Sequence, residues 1–257
     1  MRVGLSEYSV STTLASTLFF LAIFTCILPA QQGQSPMPAL PPDIPKNATI
    51  WLQLIDKTSS GHGAVWTTPD GYVSEFYQFN DRGRGPKTYS TYRLNKRGIV
   101  TYDQTKGVDY MKNPVNETFS MKDDAATWKN QAEDCHQANA TGRYFVDLNG
   151  GPTSFVLLVK ALLMNGNKLS LLPGGQASLR ELKTIPVESA GKKVSVTLYA
   201  VDGLSFTPAY IWLDDQHNFF ASLDGWSGLV REVHQSAMGQ LLGLGFARSS
   251  LADISAG

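Results

Sequence analysis

The sequence predicts a mainly β (α+β) fold, in which a curved antiparallel sheet or half-barrel wraps around one buried apolar helix. Three features of the chain support this expectation. Short segments alternate between apolar and polar residues, as half-buried strands do. Glycine, proline, asparagine and aspartate, which favour turns, separate these segments. One run near the middle of the chain is apolar on nearly every side.

The first strand is predicted at residues 50–55, where Ile50, Leu52 and Leu54 fall on one side of an extended chain. Pro69-Asp70-Gly71 predicts a turn, because proline presets φ and glycine accepts a positive φ. The same reasoning places further strands at residues 63–68, 72–80, 88–95, 99–104, 115–121, 125–131 and 144–148.

Residues 153–165 predict a helix. Phe155, Leu158 and Leu162 belong to a run that is apolar nearly all round, so this helix must be buried. It is too short to span a bilayer. Pro152 before it and Gly166 after it are typical of a helix start and a helix end.

The C-terminal third returns to strand patterns. Residues 194–200 alternate most cleanly, and strands predicted at residues 209–213 and 219–223 flank a polar hairpin loop. Residues 227–244 predict a weaker second helix, with apolar residues four apart but diluted by glycine. Because no repeat or change of composition interrupts the chain, a single β-rich domain is expected over residues 48–246.

Residues 1–30 are predicted to be a signal peptide. Arg2 precedes an apolar run that ends at Pro29-Ala30, where a signal peptidase finds a small residue. The expectation is an exported protein, periplasmic or extracellular, with no stable membrane anchor after cleavage. An uncleaved anchor is the alternative, although the run is shorter than the roughly 20 apolar residues that a spanning helix needs.

Two further segments flank the predicted domain. Residues 31–47 form a proline-rich linker that is expected to lie extended against the domain or to be loose. Residues 247–257 are small and polar, as in a frayed tail or an interdomain linker.

Charge and cysteine content narrow the functional classes. Lys+Arg and Asp+Glu balance at 22 each, so there is no electrostatic case for nucleic acid as a partner. Cys135 is the only cysteine after the predicted cleavage site, which excludes an intramolecular disulfide in the mature chain. Adjacent side chains point in different directions, so Cys135-His136 argues against a catalytic pair and favours an incidental loop cysteine.

No motif predicts a catalytic residue, a metal site or a cofactor. The four histidines form neither His-x-His nor His-Glu-x-x-His, the spacings that place two imidazoles on one metal. His217 follows Asp214 and Asp215, but a polar hairpin loop explains the same residues.

Two features are candidates for ligand or partner contact. Glu117 shares a strand face with apolar neighbours, so it is predicted to need a partner such as Arg82, Arg84 or Arg93. Two alternatives are open: Glu117 forms a buried ion pair with one of these arginines, or its carboxylate faces a ligand. Asp81, Arg82 and Arg84 belong to a loop, DRGRGP, that could present guanidinium groups to a carboxylate or phosphate, or pair internally. Trp128 is also predicted to contact a ligand or partner.

Six segments together resemble the N-terminal region that precedes the metal-dependent barrel in certain exported bacterial amidohydrolases. They are residues 81–86 (DRGRGP), 107–110 (GVDY), 114–119 (PVNETF), 126–129 (ATWK, which contains Trp128), 171–175 (LLPGG) and 210–214 (YIWLD). The resemblance runs from about residue 50 to about residue 233. None of the segments is a catalytic signature, and the chain holds no His-x-His strand of a barrel.

The resemblance implies an exported, non-catalytic β module that packs on an amidohydrolase barrel domain or subunit, as the leading part of a split or longer enzyme or as a free-standing relative. A second hypothesis is a periplasmic carrier that binds an apolar ligand on the concave face, since the predicted plan is similar to the half-barrels of lipoprotein carriers. A third is an enzyme with an unrecognised carboxylate and arginine site around Asp81 and Glu117.

Overall fold

A computed structural model describes residues 37–224 and 226–243 of the chain. The predicted signal peptide (residues 1–30) and the predicted tail (residues 247–257) lie outside the described residues. Of the predicted linker, residues 37–47 are described, and they contact the domain: His62 Nδ1 lies 3.1 Å from the carbonyl oxygen of Pro38. Among the helices of the described residues, none is long and apolar enough to cross a membrane.

Over the described ranges, fifteen strands form one sheet. They are β1 (Thr49–Ile55), β2 (Thr58–Thr67), β3 (Val73–Phe79), β4 (Lys87–Leu94), β5 (Val100–Val108), β6 (Pro114–Lys122), β7 (Ala125–Lys129), β8 (Asp134–Ala138), β9 (Tyr144–Phe145), β10 (Lys168–Leu172), β11 (Gln176–Ser189), β12 (Lys192–Asp202), β13 (Ala209–Asp214), β14 (Phe219–Leu223) and β15 (Ser227–Arg231).

The sheet consists of two meanders joined at the first and last strands. Its order is β8-β7-β6-β5-β4-β3-β2-β1-β15-β14-β13-β12-β11-β10-β9. Every neighbouring pair is antiparallel except β9 and β10, which are parallel. The sheet is curved and does not close, so the predicted fold class is confirmed.

Hairpin loops alternate between the two ends of an antiparallel meander. We call the end that carries the β3–β4, β5–β6, β12–β13 and β14–β15 loops the upper end. Helix α1 (Pro152–Met164) runs from the upper to the lower end of the sheet. Its first turn lies beside the β14–β15 loop, and Asn165, at its end, bonds to Arg97 in the β4–β5 loop.

Helix α1 is buried, as its apolar sequence predicts. Val159, Ala161 and Leu162 are inaccessible to solvent and pack with apolar side chains from both meanders, including Phe119 and Leu213. We call the side of the sheet that these residues cover the α1 face. Proline occupies the start of the helix, where its missing N–H is not needed.

A second apolar core lies on the opposite face of the C-terminal meander. Leu198, Trp212 and Val230 are buried there beneath a 3-10 helix (Glu232–Ala237) and helix α2 (Met238–Gly243). The C-terminal strands are therefore covered on both faces.

The prediction of one helix over residues 227–244 was wrong in its first part, because residues Ser227–Arg231 form strand β15. Leu229 packs in the core under α1, whereas Val230 packs in the second core, as alternating strand residues do. In the sequence alone, these two adjacent apolar residues are compatible with a helix as well as with a strand. Segment 227–231 forms a strand because it pairs with β1 and β14.

Besides β15, three strands were not predicted. Strand β8 contains Cys135 and His136, which had been expected in a loop, and it lies at the edge of the sheet, paired only with β7. Strands β10 and β11 carry polar residues on their exposed side, which weakened their apolar signal.

Candidate functional site

A row of polar side chains crosses four neighbouring strands on the α1 face. Glu75 on β3 is opposite Ser90 on β4, which is opposite Thr105 on β5, which is in turn opposite Glu117 on β6. Residues in register across strands point to the same face. Four buried polar groups therefore lie side by side beneath the start of helix α1.

A neighbouring row adds two more polar groups. Tyr92 on β4 is opposite Asp103 on β5, and each is only 1% exposed. Asp103 Oδ1 lies 3.4 Å from the Thr105 hydroxyl, which donates a shorter hydrogen bond of 2.8 Å to Ser90 Oγ. We call Glu75, Asp103 and Glu117, together with Asp147 in the segment before α1, the carboxyl cluster.

Glu117 holds the segment that leads into α1. Its Oε1 accepts the Leu148 N–H at 2.9 Å, and its Oε2 accepts the Asn149 N–H at 2.9 Å and the Asn149 side-chain amide at 3.1 Å. The prediction that Glu117 is buried is confirmed. The predicted arginine partner was wrong, because backbone and side-chain amides of a loop supply its hydrogen bonds.

Glu75 caps helix α1 from across the sheet. The residue at the N-cap, Gly151, has no side chain to accept a hydrogen bond. Glu75 Oε1 accepts instead from the Thr153 N–H at 2.9 Å and from the Thr153 hydroxyl at 2.7 Å. A carboxylate near the start of a helix also interacts favourably with the helix dipole.

Two glycines allow the carboxyl groups to approach the backbone. A Cβ atom at Gly150 would lie 2.0 Å from Asp147 Oδ2, and one at Gly151 would lie 2.2 Å from Glu75 Oε2. The Ser154 hydroxyl donates to Asp147 Oδ1 at 2.8 Å. The sequence Asn149-Gly150-Gly151-Pro152 therefore meets a packing requirement as well as starting the helix.

Burial changes the acidity of this cluster. Removal from water raises the pKa of Glu75 to about 8, although its bonds to Thr153 oppose the shift. Burial likewise raises the pKa of Asp147 to about 7. The pKa of Asp103 lies well above its usual value, first because of burial and then because of the neighbouring Asp147 and Glu117.

Three buried atoms of the cluster region have no hydrogen-bond partner: Glu75 Oε2, Asp103 Oδ2 and the Tyr92 hydroxyl. The Tyr92 hydroxyl lies near the Asp147 carboxyl but does not meet it in hydrogen-bond geometry. Such orphaned groups are costly in a core. Within residues 37–224 and 226–243, no three His, Cys, Asp or Glu side chains are close enough to hold a metal ion.

The predicted contact loop forms a separate network. Asp81 accepts hydrogen bonds from the Tyr110 hydroxyl and from Arg82 Nε, the latter at 3.0 Å. The Tyr110 bond is the largest cause of a lowered pKa at Asp81. The Arg84 guanidinium lies 5.4 Å from the centre of the Tyr110 ring. Arg82 therefore pairs within the loop, Arg84 lies against the β5–β6 loop, and the structure does not join Asp81 to Glu117.

Trp128 is part of the core rather than of an open surface. It is buried, and its indole N–H donates to Glu133 Oε1 at 2.7 Å. Cys135, opposite it on β8, donates to Glu133 at 3.6 Å. Burial, followed by the nearby Glu133, raises the pKa of this thiol, which is the reverse of what a nucleophilic cysteine needs.

One cleft of about 160 Å³ opens between the first turn of α1 and strands β1, β14 and β15. Phe155, Phe219 and Leu229 form its apolar wall, and Gln53 and Asp224 are among its polar residues. Pockets for small molecules usually measure about 300–1,000 Å³. The cleft is smaller than this range.

Four large apolar side chains are exposed at or beside the upper end of the sheet. Phe206 lies in the β12–β13 loop, Trp226 in the β14–β15 loop and Met111 in the β5–β6 loop. Leu148 lies at the same end, because neighbouring Asn149 bonds to Gln131 in the β7–β8 loop, which is also at the upper end. We call Met111, Leu148, Phe206 and Trp226 the apolar rim.

Sequence reasoning found Glu117 but missed Glu75, Asp103 and Asp147. Only the strand register brings these carboxyl groups together, and register is not readable from one strand at a time. A signal in the sequence that points to this site is the pair of glycines before Pro152, because glycine lets the backbone lie close to other groups.

The chain was also compared with known proteins. No protein-family model, no curated protein sequence and no solved structure matched it.

Proposed function

We propose that this chain is an exported, non-catalytic β module that docks on a hydrolase domain or subunit. The observation that carries the proposal is the apolar rim. Phe206 is fully exposed, and Met111, Leu148 and Trp226 expose half or more of their area. These four side chains come from segments at the same end of the sheet, and exposed aromatic and methionine side chains are enriched in interfaces.

The arrangement of polar groups favours docking over catalysis. The carboxyl cluster is buried beneath α1, and its members bond to amides and hydroxyls of the same chain. A catalytic acid or base must come within hydrogen-bond reach of a substrate. Asp81 bonds to Arg82 and to Tyr110 in the β5–β6 loop, and Arg84 lies against the same tyrosine ring.

The carrier hypothesis has less support. Helix α1 and its core occupy the face on which an apolar ligand would lie. The cleft beside the first turn of α1, of about 160 Å³, is comparable to a cavity that holds one aromatic ring.

The test is a binding measurement with the full exported chain. The resemblance to amidohydrolases identifies the partner to try: an amidohydrolase barrel protein encoded beside this chain. We expect calorimetry and light scattering to show a stable complex. Phe206→Ser and Trp226→Ser should each weaken binding by roughly tenfold or more, as substitutions of aromatic anchors do.

Met164→Ser is the matched control. Met164 is also more than half exposed, but it ends α1 at the lower end of the sheet. It should bind like the wild type. Absence of a complex, or an equal loss with Met164→Ser, contradicts the proposal.

A further inference from the structure

We propose that residues 146–151 form a latch, which lies closed on strands β3–β6 while Glu75 and Asp147 carry their protons and is released when these two carboxyl groups ionise. The proposal concerns this chain alone and does not depend on a docking partner.

The closed position is fixed by three backbone amides. The N–H groups of Leu148 and Asn149 bond to Glu117, and the N–H group of Thr153, at the start of α1, bonds to Glu75. Carboxyl groups on two strands therefore hold one short stretch of chain. The strands themselves are held by their own ladders, so the loop is the part that can move.

The cluster faces ionisable groups from every element around it. Strand β3 contributes Glu75 and Tyr77, and strand β4 contributes Tyr92. Asp103 comes from β5 and Glu117 from β6. Tyr144 comes from β9 and Asp147 from the latch. The first turn of α1 contributes only the hydroxyls of Thr153 and Ser154. The donors to these carboxyl groups are therefore uncharged amides and hydroxyls.

Ionisation would place like charges together in a medium of low dielectric constant, where their repulsion is strong. Water can relieve that repulsion only by reaching the carboxyl oxygens. Gly150 and Gly151 lie directly against the oxygens of Asp147 and Glu75. Entry of water therefore requires these two glycines, and with them the latch, to move away.

The direction of the switch follows from the acidities. The pKa of Asp147 is about 7 and that of Glu75 about 8. Both groups are therefore neutral in mildly acidic solution and lose their protons as the pH rises through these values. The latch should be closed at low pH and released at alkaline pH.

The test is hydrogen exchange at single amides, measured by NMR on the full exported chain at about pH 6 and about pH 8.5. Protection factors, which correct for the faster chemical exchange at high pH, are compared for Leu148, Asn149 and Thr153. We expect a roughly tenfold or greater loss of protection at the higher pH. The Leu198 amide in the buried ladder of β12 should show no comparable loss.

Two variants, each of which replaces a carboxyl group of the cluster by an uncharged amide, distinguish release of the latch from a general loosening of the fold. Glu75→Gln should reduce the pH dependence at these three amides, and Asp147→Asn should do the same if the first variant does not fold. Asp202→Asn, at a half-exposed ion pair on β12, should leave the wild-type response intact. Equal protection at both pH values, or an unchanged response in the neutral cluster variants, overturns the proposal.

Discussion

Both meanders pack apolar side chains against α1, and they differ in the other groups that they bury. Strands β3–β6 meet the start of α1 with carboxyl and hydroxyl groups, whereas strands β11–β15 are covered by apolar side chains on both faces. Apolar burial is non-directional and does not depend on protonation. The contacts of the carboxyl groups depend on the register of the strands and on two glycines. For Glu75 and Asp147 they also depend on protonation. We therefore expect substitutions in the second core to change stability equally at acidic and alkaline pH, and substitutions of Glu75 to change it in a pH-dependent way.

The largest expected effect comes from the apolar half. Leu198 is 1% exposed and lies in the second core. Leu198→Ala should lower the free energy of unfolding by about 3 kcal/mol, because it removes buried apolar volume and leaves a cavity. Urea denaturation should give the same loss at acidic and alkaline pH. A loss that depends on pH would remove the distinction between the two meanders.

Gly151→Ala should have the next largest effect. The added methyl group would lie 2.2 Å from Glu75 Oε2, so the latch or the carboxyl group must shift, at about 2 kcal/mol of unfolding free energy. Gly174→Ala is the matched control, since a Cβ at Gly174 meets nothing within 4 Å. Equal thermal stability of the two variants would show that the close approach is not required.

Glu75→Gln should stabilise the protein at alkaline pH only. The pKa of Glu75 rises from 4.5 to about 8 on folding, so the wild type loses stability as the pH rises between these values. Gln keeps an acceptor for Thr153 without the charge. At about pH 8.5 the variant should be more stable by about 1 kcal/mol, and at about pH 5 the two should be similar. A variant that is less stable at both values would show that the carboxyl group is needed in its charged form.

The smallest effect is expected at the surface of the apolar half. Arg180 and Asp202 form a partly exposed ion pair at 2.8 Å. Asp202→Asn should change the unfolding free energy by less than about 0.5 kcal/mol, because water and salt screen such pairs. A larger change in thermal denaturation would mean that charge pairs contribute to this meander as well.

The same contrast explains how much could be predicted from the sequence. The alternation in residues 194–200 correctly predicted a strand of the sheet, and the apolar run around Leu162 correctly predicted the helix. Both predictions succeeded because burial leaves a local pattern in the sequence. Glu117 was recognised as buried for the same reason. Its partners at Leu148 and Asn149 lie about thirty residues away, and no local pattern connects them.

The carboxyl cluster was beyond sequence reasoning for a related reason. Glu75 and Asp103 each look like an ordinary polar residue on a strand. Only the pairing of β3 with β4 and of β4 with β5 brings them under α1. Strand β15 was mistaken for a helix because its pairing with β1 joins the two ends of the described domain.

The free energy of unfolding of the wild-type chain between about pH 6.5 and about pH 8 tests the role of the buried carboxyl groups most directly. His234 opposes the trend only at lower pH, because burial lowers its pKa below 6.5. A raised pKa in the carboxyl cluster means that the folded state holds more protons than the unfolded chain, so stability should fall steadily across this range. A constant or rising free energy of unfolding would contradict the raised pKa values of Glu75 and Asp147.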